Sequence, residues 1–188
     1  GNEYQMLIFT GDNYNLKISP RTNTGWEHVV FTWDGQKLKG YLNGVVKDST
    51  NVSGSMPSRS GPFEFGHGKN MNSIWHYHGY LDEVAVWSDA LSASEVSALY
   101  NDGVPLPASV SESASSLSGY WRFDEGTGST VYDETDNDFD GTITGSTWST
   151  NAIRAISEPT GLFATQSDAQ VTLTWNANSE SDFAGYRI

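Results

Sequence analysis

Between Trp26 and Asp48 the chain alternates strand-forming runs with dipeptides that reverse its direction, and this pattern leaves it few folds to choose from. WEHVVFTW leads into Asp34-Gly35, KLKGYLN leads into Asn43-Gly44, and VVKD follows. Such dipeptides tolerate the positive φ values of tight hairpin turns, whose twist matches that of paired strands, so antiparallel neighbours are expected. Downstream, FEFG and YLDEVAVW read as further strands, set off by a Ser-, Gly- and Pro-rich loop over residues 49–62. Many short strands separated by turn signals bury their apolar faces by stacking sheets, which predicts an all-β, antiparallel β-sandwich.

One short helix interrupts the strands. Ser92 and Glu95 have the spacing of a capping box, in which hydroxyl and carboxylate each satisfy a free amide at a helix start. Leu91, Val96, Leu99 and Tyr100 then supply an apolar stripe, with Gly103 as the stop and Pro105 beyond it. Residues 105–118 (PLPASVSESASSLS) read as a linker. A second strand-rich piece spans 119–150, where Trp121 and Phe123 fall on one face of a strand and need an apolar surface to cover; packing on the preceding segment is expected. A third piece begins near Pro159, and in its VTLTW run Val171, Leu173 and Trp175 share a face. The chain opens at GNEYQMLIFTG and stops at GYRI, both strand-like, which reads as an internal fragment of a longer protein.

Charge narrows the range of partners. Ten Lys and Arg against 23 Asp and Glu give a net charge of −13, which repels nucleic acid phosphates and anionic membrane surfaces. No run approaches the ~18 apolar residues of a membrane span, so no membrane insertion is expected. Cys is absent, which removes disulfides and thiolate metal sites. GxSxG, the P-loop, HExxH and paired catalytic carboxylates do not occur as motifs, and EGTGST (125–130) lacks the Lys and the helix a phosphate loop needs. Asp82 and Glu83 are successive residues of a predicted strand and so diverge, which argues against a glycosidase pair and for a noncatalytic protein.

The sharpest concentration of charge is DETDNDFDGT, residues 133–142. Asp136, Asp138 and Asp140 alternate and Gly141 follows, the first half of a calcium-loop pattern. The position where a bidentate Glu would close an EF-hand is Thr147. Two readings stay open: a turn whose Asp and Asn side chains bond their own backbone, or hard oxygen ligands converging on Ca²⁺. Asp82, on the face of Val84 and Val86, needs a partner too, whether a backbone amide, a Lys or Arg, or Ca²⁺. In WHYH, His76 and His78 share a strand face and would chelate a transition metal if His67 approached, although packed or exposed histidines are the commoner outcome. Trp75, Tyr77 and Tyr80 read either as core packing or as flat platforms for the C–H faces of sugar rings.

Taken in order, WEHVVFTWDG, LKGYLNG, FEFG and GYLDEVAVWSDALSASEVSALY resemble the laminin G-like or pentraxin-like branch of the concanavalin A-type jelly rolls, over about residues 1–103. The most specific part is LDEVAVW running into the capped ALSASE. GYWRFDEGTGSTVYDETDNDFDGTITGSTW resembles the opening strands of another laminin G-like domain, and the tail from Pro159 resembles the start of a fibronectin type III domain, with Trp175 and Tyr186 at core aromatic positions. The organisation implied is a jelly roll over 1–104, a linker over 105–118, a laminin G-like opening over 119–150 packed on the first domain, and an incomplete fibronectin type III sandwich over 158–188. The resemblance also implies that the Asp-rich segment lies near LDEVAVW and shares a structural Ca²⁺ with it. Asp133, Asp136, Asn137, Asp138 and Asp140 are then the ligand candidates, joined by Asp82. The function implied is a noncatalytic, secreted or cell-surface module that binds a glycan or an extracellular protein through Trp75, Tyr77 and Tyr80. The alternatives are an accessory domain of a secreted polysaccharide-degrading enzyme and a purely structural spacer.

Overall fold

The structure is a computed structural model. It describes residues 4–9, 13–18, 25–54, 61–69, 74–103, 105–111, 113–150, 163–167 and 170–174. Strands β1 (Tyr4–Phe9) and β2 (Asn13–Ile18) form an antiparallel hairpin. β3 (Val29–Trp33), β4 (Lys37–Leu42) and β5 (Val45–Asn51) form an antiparallel meander with β4 in the middle. Its turns use the chemistry of their dipeptides. Asn43 and Gly44 take φ values of 52° and 75°, the left-handed pair of a type I′ turn. Asp34 caps the other turn, its Oδ1 accepting the N–H groups of Gln36 at 2.9 Å and Lys37 at 2.7 Å.

Alternation along β4 gives the meander two buried faces. On one, Leu38 meets Leu16 of β2 and Val52, with Met6, Phe31 and Trp33 packed around them. Ile18 is fully buried on the same side and lies over Gly40, where a Cβ would come within 2.8 Å of Ile18 Cγ1. On the other face Tyr41 is covered by Leu91 and by Val96 and Leu99 of helix α1 (Ala93–Tyr100), with Val30 and Trp87 alongside. The meander thus sits between a hairpin and a helix.

With eight residues, α1 falls below the roughly 12–15 at which an isolated helix becomes marginal, so tertiary packing of Val96 and Leu99 holds it. It starts at the expected capping box: Ser92 Oγ accepts the Glu95 N–H at 3.3 Å, and the Ser92 N–H donates to the Glu95 carboxylate at 2.7 Å. It ends earlier than expected. Asn101, left-handed at φ 44°, closes the last turn two residues before Gly103, because Asn tolerates that conformation almost as glycine does.

β6 (His67–Lys69) pairs with β7 (Ile74–His76). FEFG lies just before β6 and outside any strand, which differs from its expected role. β8 (Val84–Trp87) is shorter than the YLDEVAVW run because Glu83 takes φ 51° and breaks the extended backbone ahead of it. β8 pairs antiparallel with β9 (Leu117–Trp121), matching Val84 with Trp121 and Ala85 with Tyr120. Residues 119–150 are therefore joined to the preceding segment by a backbone ladder. Beyond β9, β10 (Thr130–Val131) pairs with β11 (Gly141–Thr142), and Trp121 bridges to Asp133.

The segment 105–118, linker-like in composition, is tied down in the structure. The Leu106 N–H donates to the Leu99 carbonyl at 3.0 Å, the Ser88 N–H to the Ser116 carbonyl at 2.8 Å, and Ala108 is buried. Its serines serve as turn formers: the hydroxyls of Ser111 and Ser116 donate to the carbonyls of Ala108 and Ser113. At the far end β12 (Phe163–Ser167) and β13 (Gln170–Thr174) make an antiparallel hairpin, while Trp175 and Tyr186 lie outside the described residues. Among the described residues no helix is long and apolar enough to cross a membrane.

Candidate functional site

The β8/β9 pairing brings three stretches around one open cleft of about 1600 Å³: residues 62–66, residues 76–82, and residues 138–149 following the acidic loop. Aromatic rings dominate its walls. Tyr77 and Tyr80, two of the predicted platforms, are 37% and 54% exposed there, and Tyr80 leans against Trp26 with ring centres 6.1 Å apart. Trp75 belongs to β7, and its side chain lies outside the described residues. Phe63, 71% exposed, meets Phe65 edge-on at 5.1 Å, and Phe65 meets Trp121 at 5.1 Å in the same manner. The Trp121 indole N–H donates to the Phe139 carbonyl at 2.9 Å, and the Phe139 ring is itself exposed. A run of touching rings from Phe63 through Phe65 to Trp121 thus lines the cleft, and the indole ties it to the backbone of Phe139.

Gly119 makes this run possible. Its neighbour on the same strand face is Trp121, whose ring carbons would lie 2.5 to 3.2 Å from a Cβ at position 119. With no side chain there, the indole folds over the backbone and reaches both Phe65 and Phe139. Phe123, expected on the same strand face as Trp121, follows the end of β9 at φ 58°, so the alternation stops short of it, although it still borders the cleft. The sequence marks the tyrosines as platforms and Trp121 only as a residue that needs an apolar surface, and it does not mark Phe63, Phe65 or Phe139. Phe63 and Phe65 carried no signal, because an alternating FEFG is as well explained by a half-buried strand. Trp121 carried a weak one, the glycine two residues before it.

The acidic loop is organised around Asp133. Its Oδ1 accepts the backbone N–H of Tyr120 at 2.9 Å and of Thr135 at 3.1 Å, and its Oδ2 accepts the Thr135 hydroxyl at 2.9 Å and the Phe139 N–H at 3.0 Å. Four donors occupy the approximately four acceptor directions of a carboxylate. Burial opposes the charge, but these bonds outweigh it and hold the Asp133 carboxyl below the usual range. Asp140 accepts the Asp133 N–H at 3.0 Å, and the Asn137 amide donates to the Ser118 carbonyl at 3.1 Å. Asp136 and Asn137 border a small cavity beside Ser109 and Glu134, whereas Asp138 and Asp140 border the aromatic cleft together with Asp82. The Asp82 Oδ1 also accepts the Glu83 N–H at 3.1 Å. The six candidate ligands do not surround one point, and no three His, Asp or Glu side chains among the described residues are grouped to hold a metal ion. As arranged, they do not fit a single calcium cage.

Asp82 borders the cleft, while Glu83, which does not, joins a part-buried cluster with Tyr120 and Arg122. The Tyr120 hydroxyl donates to Glu83 Oε2, Arg122 Nε lies 3.4 Å from Oε1, and the other end of Arg122 lies 3.0 Å from Asp124. Burial pushes the Glu83 carboxyl up, and burial together with the Glu83 charge pushes the Tyr120 phenol up. Asp82 and Glu83 therefore do not address one substrate atom from two sides, as an acid and base pair must. Of the histidines, His67 stands opposite His76 in the β6/β7 register, and His76 and His78 border the cleft.

The family model described as the concanavalin A-like lectin/glucanases superfamily matches residues 1–97. Among solved structures, the chain is similar to a proposed carbohydrate-binding protein from Bacteroides ovatus ATCC 8483, with a TM-score of 0.53 and 24% identity. The match covers 70% of this chain and 38% of that one, so this chain spans well under half of that protein. At this identity the likeness bears on the fold alone. No curated protein matches the chain.

Proposed function

Since the chain belongs to the concanavalin A-like lectin/glucanases superfamily, we propose that it is a noncatalytic carbohydrate-binding module whose ligand lies in the aromatic cleft. One observation carries the reading: exposed rings from separate stretches of chain, Phe63, Tyr77, Tyr80 and Phe139, border a single open cavity. Flat apolar faces flanked by polar acceptors suit sugars, which present C–H groups on one side and hydroxyls around the rim. The divergence of Asp82 and Glu83 supports holding over hydrolysis. The proposed carbohydrate binding of the Bacteroides ovatus protein points the same way. In this reading the module acts outside the cell, on a secreted or surface-attached protein, and β12 and β13 open a fibronectin type III spacer.

A glycan array probed with the whole chain, followed by titration of the best ligand, tests this. Tyr80→Ala and Phe63→Ala should each weaken binding about tenfold, on the order of one lost aromatic contact. Val45→Ala, at a comparably exposed site on β5 that does not border the cleft, should leave affinity unchanged. Equal affinity in all three variants would move the site elsewhere.

A further inference from the structure

We propose that the cleft selects uncharged oligosaccharides and turns away uronic acid and sulfated chains; the inference rests on the carbohydrate reading above and adds the ligand's charge class. Four carboxylates border the cleft, those of Glu64, Asp82, Asp138 and Asp140, and no Lys or Arg stands among the described residues that line it. Arg122, the cation next in sequence to Trp121, is engaged by Glu83 and Asp124. The net charge of −13 adds a long-range field of the same sign. Thr142, Thr144 and Thr147 add neutral hydroxyls to the same lining. Carboxylates and hydroxyls both accept hydrogen bonds from sugar hydroxyls, and neither compensates a fixed negative charge on the ligand.

The magnitude follows from Coulomb's law. One anionic sugar group about 8 Å from both Asp138 and Asp140, at the dielectric of water and with physiological screening, loses about twofold in affinity, and the several such groups of an anionic hexasaccharide compound that loss. A cleft of this volume exceeds the roughly 300–1,000 Å³ of a drug-sized site, so the fitting ligand is a chain of several rings.

Isothermal titration of the whole chain at pH 8, where imidazoles are ordinarily neutral, supplies the test. The probes are neutral hexasaccharides of the β-glucan, xylan and mannan series, beside hexagalacturonate and a heparin hexasaccharide. At least one neutral probe should bind, and both anionic probes should bind tenfold or more weakly. The gap should narrow in Asp138→Asn and as salt is raised. An anionic probe binding as tightly as the best neutral one overturns this inference and leaves the cleft as a glycan site. Failure of every probe to bind overturns the carbohydrate reading and this inference with it, whereas neutral binding that survives both Tyr80→Ala and Phe63→Ala unchanged moves the glycan site out of the cleft and overturns this inference.

Discussion

Replacing Asp133 with Asn exchanges one oxygen for an NH₂ group and removes the acceptor of two of its four hydrogen bonds. The amide keeps one acceptor oxygen and offers an NH₂ where the second oxygen stood, and an NH₂ cannot accept. If the oxygen stays with the N–H groups of Tyr120 and Thr135, the Phe139 N–H and the Thr135 hydroxyl now face a donor. The hydroxyl can rotate toward water; the Phe139 N–H, on a part-buried stretch, has no such freedom. Hydrogen bonds to a charged group contribute about 1.5–3 kcal/mol each, so one full loss and one partial loss amount to about 2–4 kcal/mol. In a chain of this size each kcal/mol lowers the unfolding midpoint by about 2–4 °C. Urea unfolding followed by tryptophan fluorescence is the suitable assay, because the Trp121 indole is bonded to Phe139 itself. pH provides a second signature. The Asp133 carboxyl is depressed in the folded chain, so its contribution is present above the unfolded value of about 3.9 and is lost as pH falls through the folded one. The difference between wild type and Asp133→Asn should therefore shrink below about pH 4. A cost under about 0.5 kcal/mol at neutral pH would show that Asp133 does not organise the loop.

Other outcomes follow from the same structure. Calcium and chelator should give the same unfolding midpoint at equal ionic strength; a calcium-dependent rise of several degrees would mean that the acidic side chains rearrange around an ion. Glu83 is raised by burial, so its contribution is fully present below the unfolded value of about 4.3 and is lost as pH rises through the folded value; Glu83→Gln should flatten that dependence in melts between pH 4 and 8. Glu83→Leu should be worse by about 1–3 kcal/mol, since the Tyr120 hydroxyl loses its acceptor. Gly40→Ala should cost about 1–3 kcal/mol in urea unfolding, because the new methyl meets Ile18 and Leu16 where the hairpin covers the meander. Gly119→Ala should weaken glycan binding as well as stability, by lifting the Trp121 ring from the backbone, and near-ultraviolet circular dichroism should register the moved indole.

What was legible in the sequence was local. The capping box of Ser92 and Glu95 and the Asn43-Gly44 turn are determined by residues within four positions of each other, and both take the form their chemistry dictates. The antiparallel, mostly β architecture with one α-helix among the described residues follows from the same turn and strand signals. The course of the acidic loop was not legible, because oxygen ligands for a metal and oxygen acceptors for backbone N–H groups are the same residue types. Only the position of Tyr120 and Phe139 around Asp133 separates the two uses. Phe63 was hidden for a related reason: alternation reports a face, and which face meets solvent depends on what arrives opposite it. The Ser-rich run 105–118 misleads by composition, since residues that mark a flexible tether also fold short turns when their hydroxyls find carbonyls.

The ladder between β8 and β9 has a practical consequence for anyone trimming this protein. The family signature stops at residue 97, within α1, yet Val84–Trp87 zips onto Leu117–Trp121 and the Trp148 indole clasps the Gly128 carbonyl still further on. Truncation at the signature's edge would unravel the helix's last turn, bare a sheet edge prone to self-association, and remove the wall that residues 138–149 give the aromatic cleft. The smallest piece worth expressing runs through Trp148, because the span that the family model recognises is shorter than the span these contacts tie together.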